Sequence, residues 1–183
     1  SEGLSTFVQS ARYLKDLSDL KLITVGSGNM QEQLKRIMDE EDLSNVFMLA
    51  AQPRGSIPLT LKKSEILFCG LIERKVFEYG ISKNKFYDYM AAAKPIVFAS
   101  SVRGSLIDIA ECGITIKPGD PEEIANAIRY IYNNIDTVGK HYGQNGRAYV
   151  EQYHTVERIA RQFLEAIQSC FVSDPMEDGN ACC

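Results

Sequence analysis

The residues best suited to chemistry lie between Glu78 and Ser100. The stretch opens with a polar loop, EYGISKNK, continues as a short helical segment, FYDYMAAA, and passes Lys94-Pro95 into the apolar run IVFA. The start of a helix carries unpaired backbone N–H groups and a partial positive charge, and both favour a bound phosphate. The pattern predicts a phosphate-binding loop, whose candidate residues are Gly80, Ser82, Asn84 and Lys85.

Asp88 lies one turn into the same predicted helix. Its carboxylate could accept hydrogen bonds from a sugar hydroxyl, since ionised carboxylates are acceptors. The alternative is an ordinary connection between a helix and a strand, whose polar side chains are merely solvated. Local chemistry does not choose between these two interpretations.

A glycine turn follows the first predicted strand, which spans residues 21–25, and Asn29 is the expected cap of the next helix. Gln31 stands where the third glycine of the GxGxxG dinucleotide fingerprint would be, so NAD or FAD binding is not expected. The turn either approaches a ligand closely or only links a strand to a helix. Its residues are Gly26, Ser27 and Gly28.

Arg54 is the basic residue of a second loop, AAQPRGSIP, at positions 50–58. A predicted strand, Val46–Leu49, precedes this loop, and a predicted helix over 57–63 follows it. Arg54 could reach a ligand at the carboxyl edge of a sheet. A solvated loop arginine is the alternative.

Predicted strands and helices alternate along the chain, which is typical of an α/β fold with a doubly wound, mostly parallel sheet. In such Rossmann-like sheets, ligands bind beyond the carboxyl ends of the strands. We expect one domain over residues 1–171, with its first strand upstream, and a flexible tail over 172–183. The loops expected to share one rim are the Gly26 turn, the Arg54 loop, the Glu78–Lys85 loop and the Arg103-Gly104 loop. The packing residues expected in the last two helices include Val150, Ile159, Phe163, Leu164 and Ile167.

Composition is that of an ordinary globular protein, with 45% hydrophobic and 24% charged residues among 183. No apolar run reaches the roughly 20 residues of a membrane-spanning helix, so a cytoplasmic location is expected. The net charge of -4 gives no general reason to bind nucleic acid or anionic lipid. Cys69, Cys112 and Cys170 are expected in the core, because the cysteine spacing fits neither a metal site nor a disulfide framework. The Cys182-Cys183 pair falls in the tail.

Several common catalytic signatures are missing from the sequence. It holds no GxxxxGK[ST], HExxH or GxSxG motif. The two histidines, His141 and His154, lie in the late helical region and are expected to be surface or packing residues. A metal site built from protein ligands is therefore not predicted.

A run of motifs in order resembles a known family. The motifs are LITVGSG, NVFMLAAQPRGSIPLTLKKSEILFCGL, EYGISKNKFYDYMAAAKPIVFAS, ECGITIKPGDPEEIANAIRYI and NGRAYVEQYHTVERIA. From about Leu4 to Phe171 the chain is similar to the carboxyl-terminal half of retaining glycosyltransferases of the two-Rossmann-domain (GT-B) type. The nearest resemblance is to bacterial transferases of polysaccharide and O-antigen synthesis.

This resemblance implies a donor-binding domain for a nucleotide-sugar, with a UDP-sugar as the first expectation. It assigns the Gly26 turn to the donor diphosphate or sugar, the Gln52–Arg54 loop to the base, and Asp88 to the ribose. The remaining loop residues, including Ile81 and Ser82, fall to the diphosphate. Gly80 departs from the family pattern, because an acidic residue that contacts the sugar is expected there. Glu78, two residues earlier, is its candidate substitute. Lys83 and Ala93 also stand in place of a proline and a glycine, so loop stiffness and the helix end are expected to differ.

The chemistry implied is glycosyl transfer with retention, through an oxocarbenium-like transition state in which the leaving diphosphate gains negative charge. Positive groups and backbone N–H donors stabilise that charge, so neither a protein nucleophile nor a metal or other cofactor is required. Lys85 is the catalytic candidate. The implied partners are the donor, an acceptor-binding N-terminal domain of the same enzyme, and an acceptor at the inner membrane surface. The isolated chain is expected to bind donor weakly without turnover.

Two alternatives stay open. Nucleotide-sugar 2-epimerases share the two-domain architecture, but they use acidic and histidine residues in the cleft. A nucleotide-binding or interaction module without catalysis is the second alternative, and the Gly80 departure keeps it open.

Overall fold

Short strands and helices alternate throughout the residues that this computed structural model describes, which are 3–71 and 84–172. The strands are β1 (Leu22–Val25), β2 (Val46–Leu49), β3 (Leu67–Gly70), β4 (Ile96–Ala99) and β5 (Gly113–Ile116). The helices are α1 (Leu4–Ser10), α2 (Gln31–Glu40), α3 (Ile57–Lys63), α4 (Asn84–Ala91), α5 (Leu106–Ile109), α6 (Pro121–Asn133), α7 (Lys140–Tyr153) and α8 (Val156–Val172). A 3₁₀ turn extends α1 over Ala11–Leu14. The bounds of β2 and α3 agree with the sequence prediction to the residue.

All strand pairs in the described part of the chain are parallel, which confirms the predicted α/β class. They form two ladders: β1 pairs with β2, and β3, β4 and β5 pair in that order. Leu22 faces Val46 in the first ladder, and Ile96 lies between Leu67 and Gly113 in the second. No backbone ladder joins β1 to β3.

One hydrophobic core lies beneath α1, α2 and α6, on a face that the two ladders share. Leu22 of β1, Val46 of β2 and Val97 of β4 are all buried in it. The ring of Phe7 in α1 stacks on that of Phe68 in β3, with centroids 4.5 Å apart. Because side chains of both ladders meet in one core, the ladders belong to one layer of the molecule.

A second core covers the opposite face of β3–β5, beneath α4, α5 and α7. Phe86 of α4 meets Phe98 of β4 edge to face, at a centroid distance of 4.9 Å. The α7 helix lies unusually close to the end of α4, because a Cβ added at Gly143 would sit 2.2 Å from the carbonyl oxygen of Ala93. Only glycine permits that approach. Because one core lies on each side of β4, this strand is buried on both faces.

The corresponding face of β1 and β2 is open. Ile23 is 51% exposed and Phe47 is 42% exposed, and their strand neighbours Val25 and Leu49 are exposed as well. Side chains alternate along a strand, so these four residues lie opposite the buried pair Leu22 and Val46. The first ladder is thus covered on one face only by the described residues.

Three sequence expectations are wrong. The apolar residues of the last helix, α8, are not buried by the part of the chain that the structure describes: Phe163 is 67% exposed, and Ile159, Leu164 and Ile167 are exposed too. Cys170, on the same helix, is exposed, whereas Cys69 and Cys112 are buried as expected. Asn29 does not cap α2, because the helix begins one residue later, with Met30 in the cap position and no side-chain cap. The Val150 expectation is confirmed, since it packs against the second core.

Candidate functional site

The first part of the candidate site is the turn at the carboxyl end of β1. The backbone N–H of Gly26 donates to the carbonyl oxygen of Leu49 at 3.1 Å, so the turn begins directly at the edge of the ladder. Gly26 has φ +147°, a region that favours glycine. The side-chain amide of Gln31 donates to the Gly26 carbonyl oxygen at 3.1 Å and ties the turn to the first residue of α2.

Neither the backbone conformation of Gly28 nor its packing against the described residues requires a glycine at this position. Its φ is not positive, and a Cβ added there would meet nothing within 4 Å among the described residues. Ser27 and Gly28 are both exposed, and no described side chain caps the N-terminus of α2 behind them. The turn therefore leaves open space in front of a helix start, where a bound anion is favoured.

Arg54 follows the carboxyl end of β2, and β2 is the strand that pairs with β1 in the first ladder. It begins a single 3₁₀ turn, Arg54–Ser56, in which the N–H and Oγ of Ser56 both bond to the carbonyl oxygen of Pro53. The Arg54 side chain is exposed, and within the described ranges no carboxylate pairs with it. It is a cation at the rim whose position is set by a short, locally bonded turn.

Three predicted residues share the outer side of α4. Asn84, Lys85 and Asp88 are exposed, while Phe86 and Met90 on the opposite side are buried in the second core. Positions three and four apart are neighbours on a helix surface, so Asp88 lies beside both Asn84 and Lys85. The structure brings these three side chains together at the start of α4.

The loop after β4 completes the rim of the second ladder. The N–H of Ser100 donates to the carbonyl oxygen of Ile116 at 2.9 Å, so the ends of β4 and β5 stay paired up to their last residues. Arg103 follows in an exposed loop, and Ser105 then starts α5 with a capping box shared with Asp108. The carboxyl end of β5 delivers Lys117, also exposed, to the same edge. Sequence reasoning missed Lys117, although its position directly before the Pro118-Gly119 turn was a signal that could have identified it.

Four predicted site residues lie outside the described residues, namely Glu78, Gly80, Ile81 and Ser82. The interpretation of Glu78 as a substitute for the acidic residue expected at Gly80 therefore stays a prediction. The same holds for the part of the phosphate loop that precedes Asn84.

Both histidines have local contacts, and Cys112 is a buried thiol. The ring of His154 lies 4.8 Å from that of Tyr87 and 5.6 Å from that of Tyr149, and His141 lies 3.2 Å from the amide of Asn145. Burial raises the pKa of the Cys112 thiol to about 12, so this group stays protonated near neutral pH and is a poor nucleophile.

No group of three histidine, cysteine or carboxylate side chains that could hold a metal ion occurs among residues 3–71 and 84–172. Over the same residues, no helix has the length and apolar character needed to traverse a bilayer.

Comparison with known proteins gives one family. The family model described as glycosyl transferases group 1 matches residues 1–134, which is well over half of the chain. No curated protein matches the chain.

Several solved structures have the same fold. A glycosyltransferase from Rickettsia africae matches with a TM-score of 0.78 and 18% identity, covering 94% of this chain and 45% of that one. The Anabaena protein HepE in complex with UDP matches with a TM-score of 0.73 and 18% identity, over 90% of this chain and 44% of that one. The C-terminal domain of LpcC, a glycosyl transferase group 1 family protein from Francisella tularensis, matches with a TM-score of 0.70 and 16% identity, over 85% and 81% of the two chains.

These likenesses show a parallel-sheet, Rossmann-like α/β fold shared with GT-B glycosyltransferase structures. The chain spans less than half the length of the Rickettsia and Anabaena proteins. It covers most of the LpcC fragment, which is a C-terminal domain.

Proposed function

The chain belongs to the glycosyl transferases group 1 family, and from that premise we propose that it is the donor-binding half of a glycosyltransferase. The donor would be a nucleotide-sugar, and the transfer would proceed with retention to a glycan or lipid-linked acceptor of cell-surface polysaccharide assembly. The observation that carries this proposal is the open glycine turn at Gly26–Gly28, which leaves space in front of the uncapped start of α2.

A uridine diphosphate sugar is the donor best supported. The Anabaena neighbour of this fold was solved with UDP and, in further structures, with UDP-glucose or with UDP and glucose. In this chain, the Gly26–Gly28 turn would lie against the diphosphate or the sugar. Arg54, exposed at the same edge, would flank the base.

Lys85 is the group that we assign to the departing diphosphate. Bond cleavage places negative charge on the leaving phosphate, and a cation at a helix start stabilises that charge more in the transition state than in the ground state. Asp88 lies one turn further along the same exposed side of α4. It would accept hydrogen bonds from the ribose hydroxyls. Asn84 would donate its amide to a phosphate oxygen.

The residues assigned here supply binding and charge stabilisation rather than a covalent step. We propose that the reaction needs no metal or organic cofactor from this domain, and that the acceptor is held by an N-terminal domain of the same enzyme. The chain spans under half of the length of the Rickettsia and Anabaena neighbours, which supports a second domain. An acceptor at the inner face of the membrane would make the enzyme cytoplasmic and peripheral. The chain alone would bind donor weakly and would not turn over.

Calorimetric titration with UDP, ADP and GDP tests the donor assignment. We expect UDP to bind most tightly and Asp88→Asn to weaken it about tenfold or more, as for the loss of a hydrogen bond to a charged group. Lys85→Ala should weaken UDP and leave uridine itself unchanged. Asp39→Asn on α2 and Lys62→Ala on α3 are matched exposed controls that should bind as the parent does.

Two results would contradict the proposal. If Asp88→Asn binds nucleotides as well as Asp39→Asn does, the assignment of Asp88 in α4 to the ribose is wrong. Appreciable sugar transfer by the purified chain alone would show that no second domain is needed.

A further inference from the structure

Helix α7 packs closely against α4, the helix that carries three of the candidate site residues. A Cβ added at Gly143 would collide with the backbone of Ala93, just past the end of α4. A Cβ added at Gly146 would lie 3.3 Å from Cγ of Met90, in the last turn of α4. Larger residues at these two positions would push the helices apart, so the glycines permit a close contact.

Two side chains from α7 and its end extend this contact along α4. Nη1 of Arg147 donates to the carbonyl oxygen of Ala91, the last residue of α4, at 2.6 Å, while its Nε donates to Glu151. The ring of His154, directly after α7, lies 4.8 Å from the ring of Tyr87. Carbonyl groups in the last turn of a helix have no partner within the helix, and a cation is favoured there. Arg147 therefore holds the end of α4, and His154 holds its middle.

The contacts with α7 fall on one side of α4. Tyr87 and Ala91 are four positions apart, so they are neighbours on the helix surface. Phe86 and Met90 lie on the side that is buried in the second core, and Asp88 lies on the exposed side with the other two candidate residues. Helix α4 thus has a core side, a side that faces α7 and an exposed side that carries the candidate site.

Helix α7 is also fixed to other parts of the domain. The Asn145 amide donates to the carbonyl oxygen of Glu111, just before β5, at 3.0 Å. Tyr149 and Val150 pack against the second core. By contrast, α4 has only 8 residues, which is about two turns. The longer helix is therefore the support against which the shorter one is placed.

We propose that Arg147 and His154 are positioning residues of the donor site, which act through α4. They keep α4 from turning or tilting on the sheet, and they thereby keep Lys85 and Asp88 at a fixed place on the rim. The proposal rests on the proposed function, from which it takes the diphosphate role of Lys85 and the ribose role of Asp88. Groups that bind a ligand need such support, because a small displacement of the side chain breaks its hydrogen bond.

The His154 contact depends on a ring. Aromatic rings attract each other when their centroids are about 4.5–7 Å apart, and the His154 ring lies within this range of both Tyr87 and Tyr149. His154→Phe keeps a ring between the two tyrosines, whereas His154→Ala removes it. Arg147→Met keeps most of the side-chain stem and removes the groups that donate to Ala91.

Calorimetric titration with UDP tests the proposal. We expect His154→Ala and Arg147→Met each to weaken UDP binding about threefold to tenfold, and His154→Phe to bind UDP as the parent does. Two matched controls should leave the Kd unchanged. They are His141→Ala, whose ring contacts Asn145 within α7, and Arg161→Met, at an exposed position of α8.

A double variant separates positioning from a purely structural role. Because His154 acts through Asp88, the effects of His154→Ala and Asp88→Asn should not be independent. The protein with both changes should bind UDP about twofold or more tightly than the product of the two single losses predicts. Thermal unfolding of each variant is the companion measurement, since a purely structural role would lower the Tm and leave the Kd unchanged.

Three results would overturn the proposal. If His154→Ala and Arg147→Met bind UDP as the controls do while Asp88→Asn binds it weakly, the two residues do not position the site, and the ribose role of Asp88 stands. If the single losses multiply in the double variant, His154 does not act through Asp88. If Asp88→Asn binds UDP as the parent does, the ribose role is wrong and this proposal falls with it. Arg147 is exposed, so Arg147→Met decides the matter if His154→Ala does not fold.

Discussion

Strands β3–β5 are covered on both faces, whereas β1 and β2 are covered on one. The four residues of β4 are all buried, and helices lie above and below them. In β1 and β2 every second residue is exposed, including Ile23 and Phe47. Both regions have the same strand length and the same parallel pairing. The contrast therefore comes from what packs on the strands and not from the strands themselves.

The contrast indicates which region is complete by itself. Parallel strands normally occur with both faces covered, because their hydrophobic residues do not alternate with polar ones. The sequence of β2, VFML, is apolar on both sides, and that of β1, LITV, is apolar apart from Thr24. Such strands suit burial on both faces, whereas the described residues bury only one face of β1 and β2. The predictions below test that difference.

The largest expected effect compares two phenylalanines at the centres of strands. Phe98→Ala in β4 removes a ring that is fully buried against Phe86 and should lower the free energy of unfolding by about 3–5 kcal/mol. Phe47→Ala in β2 removes a ring that is already 42% exposed and should cost about 1 kcal/mol or less. Urea unfolding followed by circular dichroism measures both. Equal losses of unfolding free energy would mean that the outer face of β1 and β2 is covered in solution, and the two regions would then not differ.

A smaller effect compares two glycines. Alanine normally stabilises a helix interior relative to glycine by about 1 kcal/mol. At Gly143 in α7 the sign should reverse, with a loss of about 1–3 kcal/mol, because the added methyl group meets the backbone of Ala93. Gly28→Ala, in the open turn beside β1, should change stability by about 0.5 kcal/mol or less. Thermal unfolding of both variants checks this pair, and stabilisation by Gly143→Ala would show that α4 and α7 are not in close contact.

The smallest effect concerns an exposed link between the two regions. Arg129 of α6 donates to Asp16, in the segment before β1, at 2.7 Å, and this hydrogen bond lowers the pKa of the Asp16 carboxyl. A lowered pKa in the folded state means that the stabilisation is present above the unfolded value of 3.8 and disappears as the pH falls through the lower folded value. Asp16→Asn should therefore lower the Tm by about 2 °C or less near pH 6. As the pH falls below 3.8 toward that lower pKa, the Tm difference between the variant and the parent should shrink. A difference that persists at low pH would contradict this account.

Much of the fold was predictable because it rests on local patterns. The four-residue apolar run of β2 and the Pro58 start of α3 predict their own bounds. Asp120 before Pro121 predicts the start of α6, where the Asp120 carboxylate accepts the N–H of Glu122 at 2.8 Å. Each of these signals lies within a few residues of the element that it marks.

The misses depend on partners that are distant in sequence. The apolar positions of α8 predict a buried face, but the pattern does not say what the face meets, and Phe163 is exposed in this chain. Asn29 has the right chemistry for a cap, but the Gln31 contact to Gly26 shapes the turn instead. The lack of backbone pairing between β1 and β3 likewise depends on two strands at once, so the sequence of either strand alone does not reveal it.

The candidate site divides in the same way. Ser27, Gly28, Arg54, Asn84, Lys85 and Asp88 occupy exposed positions at the rims, and Gly26 occupies a half-buried one, as their places after strands or at a helix start predicted. Which of them meet one ligand depends on the ligand's own shape. Sequence patterns carry no such information, so their assigned roles stay proposals.

The link between Arg129 and Asp16 also has a consequence for the order of folding. Its two residues are 113 positions apart, as are Tyr132 and Asp19, which bond beside it at 2.6 Å. By contrast, Leu67 and Ile96, paired in β3 and β4, are separated by a loop roughly a quarter as long. Closing the longer loop costs about 1 kcal/mol more in chain entropy. Strands β3–β5 should therefore assemble early, and docking of α1 on α6 should be a late event.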